Sequence, residues 1–63
     1  MAKIRFSSPA TIKIFDTLGH LLFENAYPEK GLGELEWNHK SGVYFCQLHR
    51  GREVRMKKFI LFR

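Results

Sequence analysis

The stretch Ser41-Gly42-Val43-Tyr44-Phe45-Cys46-Gln47-Leu48, followed through Arg50-Gly51 by Met56-Lys57-Lys58-Phe59-Ile60-Leu61-Phe62-Arg63, limits the folds open to this chain more than any other feature. Its β-branched and aromatic residues suit a pleated, half-buried surface. Gly42 opens the first run and Arg50-Gly51 closes it, so the pair reads as a hairpin bounded by turn signals. Tyr44, Cys46 and Leu48 share one face, while Val43, Phe45 and Gln47 share the other. Gln47 suits water, which assigns the Tyr44 face to the core.

The rest of the chain alternates with the same period of two. Residues 2–6 place Ile4 and Phe6 on one face and Lys3 and Arg5 on the other, until Ser7-Ser8-Pro9 interrupts the ladder. Residues 11–16 turn Ile12 and Ile14 inward and Lys13 outward. Asp16-Thr17-Leu18-Gly19 has Asp at the first turn position and Gly at the fourth, the pattern of a type I turn. A return strand over 20–24 puts Leu21 and Phe23 on one face. Asn25-Ala26-Tyr27-Pro28-Glu29-Lys30-Gly31 reads as the longest loop. Residues 32–37 resume alternation, with Leu35 and Trp37 in and Glu34 and Glu36 out.

No window of helical length shows i, i+3, i+4 apolar spacing, so the reading is all-β, with about six short antiparallel strands. The expected core is Ile12, Ile14, Leu21, Leu35, Trp37, Tyr44 and Leu48. At 63 residues the chain makes one domain, residues 1–63, and a small one. A chain of this size buries only about 60% of its unfolded surface. Nine aromatics and an apolar fraction of 44% still supply a core and argue against disorder. The single cysteine cannot form an internal disulfide.

Chemistry is sparse. His20, His39, His49 and Cys46 are the only soft metal ligands, and Cys46 and His49 point to opposite faces of one strand. Cys46 has no base nearby in sequence, and the carboxylates are scattered singly. Gly31-Leu32-Gly33 precedes a strand, so no helix N-terminus is there to hold phosphate. No enzyme, cofactor or metal is expected. No run of 18 apolar residues offers a transmembrane helix. Residues 1–5 alternate where a signal peptide needs an apolar stretch. The chain is therefore cytoplasmic if Met1 is its native start, or one piece of a longer exported protein.

The net charge of +5 sits at one end. Residues 1–49 balance five Lys or Arg against five Asp or Glu, whereas residues 50–63 carry six against Glu53 alone. Such a terminal strand is either an edge kept soluble by its lysines or a surface for an acidic partner, nucleic acid or lipid.

With these residues laid out, the sequence resembles the type A C-terminal sorting domain of type IX secretion substrates. That family is related in fold to the immunoglobulin-like module of flagellar hook-capping proteins. Ile12-Lys13-Ile14-Phe15-Asp16-Thr17-Leu18-Gly19-His20-Leu21-Leu22 is similar to the family's apolar strand, Asp-x-x-Gly turn and return strand. The segment from Gly33 to Trp37 is similar to its Gly-x-x-x-Trp strand. Ser41-Gly42-Val43-Tyr44-Phe45 is similar to its Gly-Val/Ile-Tyr signature, and Lys57-Lys58-Phe59-Ile60-Leu61 to its Lys-Lys-apolar ending. The sequence departs from the family in having His20 where Arg or Lys is usual, and in lacking the Asn-Pro strand with which the family opens.

The resemblance implies a small immunoglobulin-like β-sandwich without that first strand. It also implies a non-catalytic export tag at the C-terminus of a larger secreted or cell-surface protein that passes through the periplasm. The implied partners are an outer-membrane translocon and a sortase-like protease, met through Gly42, Val43, Tyr44, Lys57, Lys58, Phe59 and Arg63. An open sheet edge also offers a route to a homodimer. Two alternatives remain beside this one: a structural β-sandwich assembly module like that of hook-capping proteins, and a small basic nucleic-acid-binding barrel. Trp37 reads as core rather than as a stacking platform for sugars.

Overall fold

The structure is a computed structural model that describes residues 2–62; Met1 and Arg63 lie outside the described residues. The chain forms four strands, β1 (Ala2–Phe15), β2 (Leu21–Trp37), β3 (Gly42–Arg50) and β4 (Glu53–Leu61). They pair antiparallel in one open sheet of order β2-β1-β3-β4. The all-β expectation holds, and the expected count of about six short strands is corrected to four, which lie in one open sheet.

The two expected interruptions lie opposite one another, which explains the lower strand count. Ser8 pairs with Gly31 and Ala10 with Tyr27, so Pro28, Glu29 and Lys30 bulge out across from Pro9. A proline without its N–H does no harm where the ladder is already broken. The Ser8 hydroxyl donates to the Gly31 carbonyl at 3.1 Å and holds the two strands together at the irregularity. Strand segments 2–8 and 11–15 therefore run on as one, as do 21–27 and 31–37.

The long β1–β2 ribbon doubles back on itself at this point. Phe23 and Trp37 belong to the same strand, fourteen residues apart, a separation of about 48 Å when fully extended. Their ring centroids are 5.9 Å apart, and the longest dimension of the molecule is only 32 Å. One folded sheet thus supplies both walls of the core. Between the walls lie Phe6, Ala10, Ile12, Ile14, Trp37, Tyr44, Cys46 and Leu61. Ile12 and Ile14 are fully buried, and truncating either to Ala should cost about 2–5 kcal/mol.

The expected core is right at Ile12, Ile14, Trp37 and Tyr44, while Leu35 and Leu48 are half-buried at its margin. Leu21 is a correction: it is 49% exposed. Ile14 pairs with Phe23 but Phe15 pairs with Leu21, so Leu22 is an extra residue in the ladder. Such a bulge moves Leu21 onto the face of Phe15 and leaves Phe23 against the core. Phe6, Ala10, Cys46 and Leu61 complete the core.

The turns follow the local sequence. Gly19 donates its N–H to the Asp16 carbonyl at 3.1 Å, closing the turn at the expected place. The Asp16 carboxylate accepts the N–H groups of Leu18 and His20, each at 2.9 Å. Between β3 and β4, Arg50 pairs with Glu53, and Gly51 takes the positive φ (58°) that a two-residue hairpin loop demands.

Candidate functional site

The β3–β4 hairpin carries every candidate recognition residue among the described residues. Its ladder pairs Gly42 with Leu61, Val43 with Ile60, Tyr44 with Phe59, Phe45 with Lys58 and Cys46 with Lys57. Alternation then separates the two lysines. Lys57 shares the core-side face with Phe59 and Leu61, whereas Lys58 shares the opposite face with Ile60. Both lysines are exposed. Arg63, the last candidate, lies outside the described residues.

Tyr44 is embedded in the fold. Only 3% of it is exposed, and its ring stacks on Phe59 with centroids 5.6 Å apart and planes at 27°. Trp37 meets Tyr44 edge-on at 5.6 Å and stacks on His39 at 5.3 Å. The Tyr44 hydroxyl donates to the Lys40 carbonyl and lies 3.0 Å from His39 Nδ1. The phenol thereby ties the connection after β2 to the start of β3. A Cβ added at Gly42 would meet only the Tyr44 ring, at an ordinary 3.9 Å, so packing alone does not require glycine there.

The remaining candidate groups stay apart. Cys46 is buried, which pushes its thiol pKa up and suppresses the thiolate. His20 contacts Asp16 at 3.1 Å, His49 contacts Gln47 at 2.9 Å, and His39 lies in the aromatic stack. Among the described residues no three His, Cys, Asp or Glu side chains come together as metal ligands. No helix among them is long and apolar enough to cross a membrane.

The doubled sheet also creates a feature that the sequence did not disclose. A groove of about 520 Å³ runs between residues 2–6 of β1 and residues 55–60 of β4, floored by Ile12, Cys46 and Leu48. Strand edges form both of its sides. β4 is the outer strand of the sheet, and β3 pairs with β1 only from Thr11 to Phe15, leaving the same edge of residues 2–8 unpaired. Lys3, Arg5, Arg55 and Lys57 line the groove. Arg5 Nε meets Glu34 at 3.2 Å and Arg55 Nε meets Glu53 at 2.8 Å. Neither Lys3 nor Lys57 makes an ion pair among the described residues, although Glu36 stands opposite Lys3 in the β1–β2 ladder. The period of β1 in the sequence placed Lys3 and Arg5 on a face, but no signal set them across from β4.

A sequence model of the family described as "Secretion system C-terminal sorting domain" matches residues 1–62. No curated protein and no solved structure matches the chain.

Proposed function

This chain belongs to the secretion system C-terminal sorting domain family, and from that premise we propose that it is a non-catalytic tag through which the type IX machinery recognises a cargo for export. The family is one of sorting signals, not of enzymes. The observation that carries the reading is a family match running over 62 of the 63 residues. A tag of this kind places its cargo outside the cell or on its surface. Its partners are the outer-membrane translocon and a sortase-like protease that removes the tag. The core enclosed between two layers of a doubled sheet supports treating the packing as immunoglobulin-like.

The basic edge strand β4, with the Gly42-Val43-Tyr44 start of β3 beside it, is the surface we assign to recognition. Nucleic-acid binding is less well supported. Phe59, the aromatic ring of β4, is stacked against Tyr44, and the strand's exposed apolar groups Val54, Met56 and Ile60 carry no ring, which leaves Phe62, just past the strand, as the open ring beside its lysines. Base-stacking platforms need their rings in the open.

The test is to fuse the domain behind a periplasmic reporter in a type IX-competent host. Export of the reporter to the medium or cell surface is the expected result, with an Asn-Pro strand of the family's kind placed ahead of the domain in a parallel fusion. A reporter retained in the periplasm in both fusions would overturn the proposal and leave the structural assembly module as the better reading.

A further inference from the structure

The groove between residues 2–6 and 55–60 is walled by two strand edges that pair with nothing else in the sheet. We propose that it binds an extended, acidic segment of a partner protein as an added strand. Unpaired N–H and C=O groups on an edge are a template for another backbone, and alternate side chains of the added strand then decide specificity. Here the floor of Ile12, Cys46 and Leu48 takes the apolar side chains of such a segment. Residues 55–60 span about 20 Å of strand, room for about six residues of a partner.

Charge selects the occupant. Lys57 lines the groove with no carboxylate in ion-pair contact among the described residues, Lys3 does so with Glu36 opposite it in the ladder but not in ion-pair contact, and Arg5 and Arg55 add two cations already paired with Glu34 and Glu53. A segment alternating apolar and acidic residues satisfies both the floor and the rim. Pairing the β4 of one copy with the β4 of another does not, because it would bring Arg55, Lys57 and Lys58 of both chains together, and like charges across a ladder repel. The inference goes beyond the export reading, since it describes binding by the isolated domain and stands or falls without any secretion assay.

The test uses the whole chain, isotopically labelled, and a seven-residue blocked peptide alternating Glu and Val. Titration should give saturable amide shifts at residues 2–6 and 55–60, with slowed amide hydrogen exchange on β4. A peptide with Lys in place of Glu should not bind. Lys3→Glu combined with Lys57→Glu should weaken binding of the Glu peptide about tenfold or more, with the rest of the amide spectrum unchanged. Three results would overturn the proposal: no saturable shift at millimolar peptide, an equal response to the Glu and Lys peptides, or shifts centred elsewhere on the sheet. Concentration-dependent protection of β4 in the absence of peptide would instead identify a second copy as the occupant, and would overturn it too.

Discussion

The ring of Phe6 lies across Gly33, its pairing partner on β2, so closely that a Cβ at position 33 would stand 2.3 Å from Phe6 Cε2. Phe6 is 7% exposed and packs at 4.7 Å from the ring of Tyr27, so it has little freedom to move aside. The glycine that opens the Gly-x-x-x-Trp segment is thus the floor on which a core aromatic rests. Gly33→Ala should destabilise the domain by about 1–3 kcal/mol through overpacking. Adding Phe6→Leu should recover part of that loss, so that the two changes are non-additive. Urea unfolding of the two single variants and the double variant measures the coupling; additive losses would show that the contact is not the cause.

A second prediction separates the buried face of the β1–β2 ribbon from its bulged end. Ile12→Ala should cost about 2–5 kcal/mol, because no part of Ile12 reaches solvent. Leu21→Ala should cost about 0.5 kcal/mol or less, because the bulge at Leu22 turns Leu21 outward. Equal losses in chemical denaturation would mean that the strand lacks this bulge.

The third concerns pH. The backbone N–H of His20 does most to hold the Asp16 carboxyl below its ordinary value; desolvation, the next largest effect, opposes it, and the N–H of Leu18 and the charge and side chain of His20 add to the lowering. A depressed folded pKa gives stabilisation that is fully present above the unfolded value and lost as pH falls through the folded one. The Asp16 contribution should therefore be complete at neutral pH, begin to fall near the ordinary carboxylate value of about 3.9, and vanish below the lowered one. Carbon-detected titration of the Asp16 carboxyl checks the direction. Asp16→Ala, which removes the acceptor, should flatten this part of the stability profile.

Cys46 offers a fourth check. Burial raises its thiol pKa and hides its sulfur, and both effects slow attack on a disulfide reagent. Labelling at pH 8 should be slow in buffer and fast in denaturing urea. Fast labelling of the folded protein would place Cys46 at the surface.

The fifth is functional. Gly42→Ala leaves ordinary contacts in the fold, and reversing Lys57 and Lys58 changes exposed residues whose replacement costs about 0.5 kcal/mol or less. All three substitutions should therefore fold, and lower export of a reporter should be read as lost recognition. Deleting residues 59–63 should abolish export by removing the docked Phe59 and Leu61 together with the charge of Arg63. Lys57→Glu combined with Lys58→Glu exporting at the parent level would remove β4 from the recognition surface.

Alternation by itself determined that this protein is all-β, that Ile12, Ile14 and Tyr44 face inward, and that the chain turns at Asp16–Gly19 and Arg50-Gly51. Those outcomes follow from side chains pointing to opposite faces at every step and from a few residues suited to tight turns. The order of its motifs also identified the family. Tertiary structure alone decided the rest. Pro9 and Pro28 read as strand breaks, yet they meet across the ribbon and become one bend, because a broken ladder on one strand needs a matching irregularity on its partner. A single extra residue at Leu22 exposed Leu21, and an isolated strand pattern does not record its partner's register. The groove was the least legible feature. Alternation says which face a lysine takes, not which other face the folded ribbon will bring opposite it. Lys3 and Lys57 line one groove only because the sheet doubles over to bury Phe6 and Trp37.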